Sequence, residues 1–197
     1  IQSGELSKMQ KTSGKLFVIS GPSGVGKGTI IHKLLEKNPN IKLSISATTR
    51  APRPHETDGV DYYFISRDNF TKLIKEDKLA EWAEFSGNYY GTYYDTINNT
   101  LQNGYDLILE IEVKGAMQIK NKIPSAVLIF ILPPSFDELQ KRLTGRNTEK
   151  TEEIKQRLAI FEDEYAKSFE FNYKITNDNL DEATEELQKI ISREKQN

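Results

Sequence analysis

Cysteine is absent from this 197-residue chain, which excludes disulfide frameworks and thiolate metal sites together. Histidine occurs only twice, as His32 and His55, too isolated to indicate a metal cluster. No apolar stretch approaches the roughly 18 residues of a membrane-spanning helix, and no signal-peptide core is visible. Charge of one sign is not in excess either. The 27 Lys and Arg face 29 Asp and Glu for a formal net charge of −2, so no overall field draws the chain to nucleic acid or an anionic membrane. Internal repeats, heptads and low-complexity blocks are also missing. These absences favour a soluble, cytoplasmic enzyme built as one domain, in which any attraction to phosphate is local.

A glycine-rich loop is present: Gly21-Pro22-Ser23-Gly24-Val25-Gly26-Lys27-Gly28-Thr29. Glycines let a turn bring its N–H groups close to an anion, and a following helix N-terminus adds partial positive charge. Lys27 supplies a full charge. The spacing Gly21-x4-Gly26-Lys27 fits the phosphate-loop pattern, but Gly28 stands where Ser or Thr normally meets magnesium, and Thr29 comes one residue late. The dinucleotide fingerprint fits less well, because Thr29 occupies the place of its third glycine.

Apolar runs at 16–20, 107–111 and 127–132 read as strands buried on both faces, with helices expected over 27–37, 115–122 and 136–143. A strand at 173–176 and a helix at 180–193 follow. The alternation predicts an α/β fold with a parallel sheet covered by helices. Ile154, Leu158, Phe161 and Tyr165 are spaced as one helical stripe and are expected in the core. Residues 1–14 read as a flexible tail and 15–195 as the domain. Its core spans 15–43 and 105–195, and residues 44–104 break the rhythm as an inserted subdomain. There, 41–47 reads as a strand, and Glu81-Trp82-Ala83-Glu84-Phe85 alternates like a half-buried one.

Two basic groups accompany the loop. Arg50 and Arg53 lie among Pro52 and Pro54, which hold an extended segment suited to a bidentate grip on a second phosphate. An ordinary solvated arginine pair has the same appearance. Between 141 and 157, six basic residues outnumber three acidic ones. Arg142 and Arg146 share a helix face there, and Arg157 follows. The region 142–157 reads as an arginine-bearing lid, or as a salt-bridged surface helix.

Four segments in order, 21–27, 46–53 (Ser-Ala-Thr-Thr-Arg-Ala-Pro-Arg), 59–62 (Gly-Val-Asp-Tyr) and 85–91 (Phe-Ser-Gly-Asn-Tyr-Tyr-Gly), resemble the guanylate kinase family from about residue 15 to 191. The resemblance implies a P-loop NTPase-type core, a GMP-binding insert and a lid, with ATP, Mg2+ and GMP as ligands and GDP, or dGDP from dGMP, as product. ATP is expected at 21–29 and Asn177. GMP is expected at Ser46, Arg50, Arg53, Tyr62, Glu81, Tyr90, Thr92 and Glu110. Lys27, Arg50, Arg142, Arg146 and Arg157 are the implied catalytic set. Thr29 and Glu112 are candidates to hold magnesium through water. Departures from the family pattern are His55 in place of a usual glycine and Ala47 in place of a small hydroxyl residue. Three other readings stand beside this one: a noncatalytic scaffold domain, a regulatory GTPase and another nucleoside monophosphate kinase. The GTPase lacks its Asn-Lys-x-Asp signature, since Ile123-Pro124 follows Asn121-Lys122.

Overall fold

A computed structural model describes residues 13–135, 137–139, 141 and 151–196, with the backbone course alone for 151–158. The strands are β1 (Leu16–Ser20), β2 (Ile41–Leu43), β3 (Ala47–Thr48), β4 (Tyr63–Phe64), β5 (Leu79–Phe85), β6 (Asn88–Tyr93), β7 (Asp106–Glu110), β8 (Val127–Leu132) and β9 (Tyr173–Thr176). The helices are α1 (Lys27–Glu36), α2 (Arg67–Lys75), α3 (Tyr94–Gln102), α4 (Val113–Lys122), α5 (Thr151–Lys167) and α6 (Leu180–Glu194). Residues 137–139 and 141 are also helical.

The five-stranded sheet runs β2-β7-β1-β8-β9, with every pairing parallel. Successive side chains on a strand face opposite ways, and β1 divides accordingly. Phe17 and Ile19 pack with Ile30, Ile31 and Leu34 of α1 and Leu187 and Ile191 of α6. Leu16 and Val18 pack with Ile97 of α3 and Ala116 and Ile119 of α4. This double burial explains why β1, β7 and β8 read as unbroken apolar runs.

A second sheet, ordered β4-β3-β6-β5, holds the residues between β2 and α3. The single strand expected over 41–47 is two strands in two sheets: the chain leaves β7 after Leu43 and pairs again with β6 only from Ala47. Ser86 and Gly87, both at positive φ (50° and 78°), close the β5–β6 hairpin. At the start of β5 the register slips, so that Leu79 faces Tyr93 but Glu81 faces Thr92. This bulge changes the facing of the strand. Leu79 and Trp82 pack with Phe70 of α2, leaving Glu81, Ala83 and Phe85 on the opposite face.

Gln118 of α4 joins the two sheets by donating to the Trp82 carbonyl (2.8 Å) and accepting from the Trp82 N–H (3.1 Å). It satisfies the open edge of β5 as a neighbouring strand would. The expected stripe on α5 differs in part. Tyr165 is 42% exposed and meets Phe161 tilted and Phe169 edge to face, whereas the side chains of Ile154 and Leu158 lie outside the described residues. No helix among the described residues is long and apolar enough to cross a membrane.

Candidate active site

The loop from Gly21 to Gly26 joins β1 to α1, so its N–H groups lie at a helix N-terminus, where anions are favoured. Gly26 has φ 97°, and a Cβ there would lie 2.6 Å from Asn177 Nδ2. Only glycine suits both conditions. Gly21, Pro22 and Val25 are buried, whereas Ser23, Gly24 and Thr29 are exposed. The Lys27 Nζ turns back on the loop, donating to the carbonyls of Gly21 (2.6 Å) and Pro22 (3.1 Å). Burial lowers the Lys27 pKa, opposed by Glu110, Glu164 and Glu112. The loop lysine is therefore partly dehydrated.

Asn177, after β9, is buried and donates from Nδ2 to the Val25 carbonyl (2.8 Å). Expected among the ATP-binding residues, it lies beside the phosphate loop and supports it.

Beside the loop opens a cavity of about 330 Å3, lined by Lys27, Tyr62, Glu81, Tyr90, Glu110 and Glu112. Ser46, Ala83, Phe85 and Ile111 complete much of the wall. The volume lies in the range of small-ligand sites. Glu81 is 4% exposed, with Oε1 accepting from Thr92 Oγ1 (2.7 Å). Burial pushes its pKa up to about 7, against the lowering effect of Thr92. Its second oxygen lies against Gly115 of α4, where a Cβ would overlap the carboxylate. Gly115 therefore permits helix and carboxylate to approach.

Arg50 lies beside the cavity-lining Tyr62. Its guanidinium lies 5.5 Å from the Tyr62 ring centroid and is clasped by Glu56. Tyr62 meets Tyr90 edge-on at 6.1 Å. Burial raises the Tyr62 pKa, which keeps its hydroxyl protonated as a donor. Arg53 is exposed, with its backbone N–H donating to Glu56 (2.7 Å). Ser46, Tyr62, Glu81, Tyr90 and Glu110 thus share one cavity, with Thr92 behind Glu81 and Arg50 beside Tyr62. Arg142 and Arg146 lie outside the described residues. Arg157 falls on α5, within the stretch described by backbone alone.

The sequence reading missed Glu56, Gly115, Gln118 and Glu164. Glu164 of α5 faces Lys27, and burial raises its pKa. Lone glutamates carry no motif. The signal for Glu56 was nearby, in His55 at a position the resembling family gives to glycine.

Among the described residues no group of three or more His, Asp or Glu side chains forms a metal site, but one carboxylate borders the phosphate loop. A Cβ at Gly28 would lie 3.6 and 3.7 Å from the two Glu110 carboxylate oxygens, and burial raises the pKa of nearby Glu112. The space left by the missing hydroxyl therefore borders a carboxylate, an environment that fits magnesium and its water.

A parallel sheet closed by a phosphate loop, sharing one cavity with a second sheet that carries an arginine and a buried carboxylate, defines a phosphate-loop nucleotide kinase. The guanylate kinase family model matches residues 13–194. The chain is 48% identical over 187 residues to the guanylate kinase of Desulfitobacterium hafniense (strain Y51), covering 95% of this chain and 94% of that one. It is 50% identical over 177 residues to that of Prochlorococcus marinus subsp. pastoris, covering 90% and 96%. A crystal structure of guanylate kinase from Anaplasma phagocytophilum matches with a TM-score of 0.75 at 32% identity, covering 93% of this chain and 87% of that chain. The chain belongs to the guanylate kinase family.

Proposed function

We propose that this enzyme transfers the γ-phosphoryl group of ATP to GMP, and to dGMP, releasing ADP and the nucleoside diphosphate. The observation that carries this reading is the single cavity joining Lys27 of the phosphate loop to the buried Glu81. A phosphate-loop lysine and a buried carboxylate suited to reading a base, brought to one space, are what transfer between two nucleotides requires.

Glu81, when ionised, accepts from both N1–H and the 2-amino group of guanine while Thr92 holds its other lone pair. Adenine offers neither donor. An unpaired buried carboxylate costs about 1–3 kcal/mol or more, which favours GMP over AMP. Ser46, Arg50, Arg53, Tyr62 and Tyr90 receive the GMP phosphate, and Glu110 addresses the base. Residues 21–29 receive the ATP phosphates. Lys27 exchanges its two carbonyl partners for phosphate oxygens and neutralises charge as it moves. Arg142, Arg146 and Arg157 complete the neutralisation, bringing donors to the equatorial oxygens of the transferring group. The acceptor phosphate is itself the nucleophile, so no side chain need remove a proton. Magnesium bound with ATP would supply further charge neutralisation, held through water by Glu112 and Thr29. The cytoplasm, which supplies ATP, is the compartment that suits this chemistry.

A coupled ADP-release assay with GMP, dGMP, AMP and UMP as acceptors tests the reading. Turnover with GMP and dGMP supports it. Absence of GMP-dependent turnover, or equal use of AMP, contradicts it.

A further inference from the structure

The turn after Arg53 is closed by Glu56 N–H donating to the Arg53 carbonyl (3.0 Å), with Pro54 and His55 at its centre. His55 has φ 80°. Proline followed by a left-handed residue is the arrangement of a type II turn, whose third position ordinarily takes glycine. The turn folds the chain back so that the Glu56 side chain returns to the arginines that precede it. Glu56 Oε1 accepts from Arg50 Nη2 (2.8 Å), and Oε2 accepts from Arg50 Nη1 (2.9 Å) and from the Arg53 backbone N–H (2.7 Å). Arg50 Nη1 also donates to the Ala51 carbonyl (2.9 Å). The pair is largely shielded, with side chains 16% and 17% exposed. The guanidinium lies within 5.5 Å and 5.9 Å of the Tyr62 and Phe64 ring centroids.

We propose that Glu56 is the positioning residue of the acceptor-phosphate site: it grips the Nη1–Nη2 end of Arg50 and the backbone of Arg53, setting both arginines for the phosphate. A guanidinium has five donors in a planar fork and accommodates two anions on different edges. Glu56 and Ala51 take three of these protons. The guanidinium also bonds the Tyr90 side chain, so a phosphate held among Tyr62 and Tyr90 takes its donors from the protons that Glu56 and Ala51 do not occupy. Without the carboxylate, the arginine side chain must be ordered at the moment of binding, a loss of rotamer freedom that weakens association. The inference rests on the proposed GMP site and adds a residue that touches the ligand's partner rather than the ligand.

Binding of GMP and of guanosine to the full chain, followed by NMR titration, separates the possibilities for Glu56→Gln and Glu56→Asp. Guanosine has the base but no phosphate. Glu56→Gln is expected to weaken GMP by about tenfold or more, the scale of one charge-assisted contact, while guanosine changes by less than about twofold. Glu56→Asp, which keeps the charge on a shorter arm, recovers part of the GMP affinity. Equal or tighter GMP binding by Glu56→Gln would overturn the proposal, because the carboxylate would then compete with phosphate. Equal loss of guanosine would also overturn it, reducing Glu56 to a structural tie. Failure of the unaltered chain to bind GMP would overturn the acceptor site itself.

Discussion

Lowering the pH through neutrality should weaken GMP binding through one side chain, Glu81. It is 4% exposed, and burial raises its pKa to about 7. Guanine presents only donors to it, so the competent form is the carboxylate and a proton competes with the base. With that pKa, about nine-tenths of the sites are ionised at about pH 8 and about one-tenth at about pH 6, so binding should weaken about tenfold across the interval. The GMP phosphate also titrates, at about pH 6 by analogy with other phosphate monoesters, so a single profile does not isolate Glu81. The Glu81→Gln variant does, because it retains the phosphate titration and loses the carboxylate. The ratio of the variant's Kd to that of the unaltered chain, measured by calorimetry, should therefore fall about tenfold from about pH 8 to about pH 6. The linked stability effect has a definite sign. A carboxyl whose folded pKa is raised favours the ligand-free fold fully below its unfolded value, and loses that contribution as pH rises through the folded value near 7. The melting temperature of Glu81→Gln relative to the unaltered chain should accordingly rise between about pH 5 and about pH 8. A Kd ratio independent of pH would refute the reasoning, because it would leave guanine recognition without the ionised Glu81.

Lys27→Met should lower kcat by about 10²–10³ in the coupled assay while leaving the Kd for GMP within about twofold, since it removes a transition-state donor at the ATP end only. Gly115→Ala places a methyl on the Glu81 carboxylate. Alanine favours a helix by about 1 kcal/mol over glycine, so a lowered melting temperature together with an about tenfold higher KM for GMP would show that the clash dominates. Asn177→Ala leaves the Val25 carbonyl without its 2.8 Å donor and should raise the KM for ATP about tenfold with little change for GMP, measured by steady-state kinetics.

The legible and illegible parts of the fold divide along physical lines. β1, β7 and β8 are buried on both faces, and continuous apolar runs announce such strands. The loop at 21–26 is legible because phosphate binding constrains backbone and spacing together. The stretch between β2 and α3 is harder. β3 and β4 have two residues each, too few for any periodicity, and α3 is polar apart from Tyr94, Ile97 and Leu101 on its packed side. The slip between Leu79 and Glu81 cannot be read from alternation, yet it separates a packing leucine from a cavity-facing carboxylate. Residues 41–47 look continuous because Ile41, Leu43, Ile45 and Ala47 alternate with polar residues, but the partner strand changes within them. Gly115 and Glu56 owe their importance to approaches across 34 and 6 residues of chain, respectively, contacts that no local pattern encodes.

The central claim is that one cavity carries a phosphoryl group from ATP to GMP. Incubation with ATP labelled in its γ-phosphate, in the presence of GMP and magnesium, tests it most directly. The label should appear in the β-phosphate of GDP, with little in inorganic phosphate, and its transfer should collapse in Lys27→Met. Label released as inorganic phosphate without GDP, or GDP formed equally well by Lys27→Met, would contradict the account.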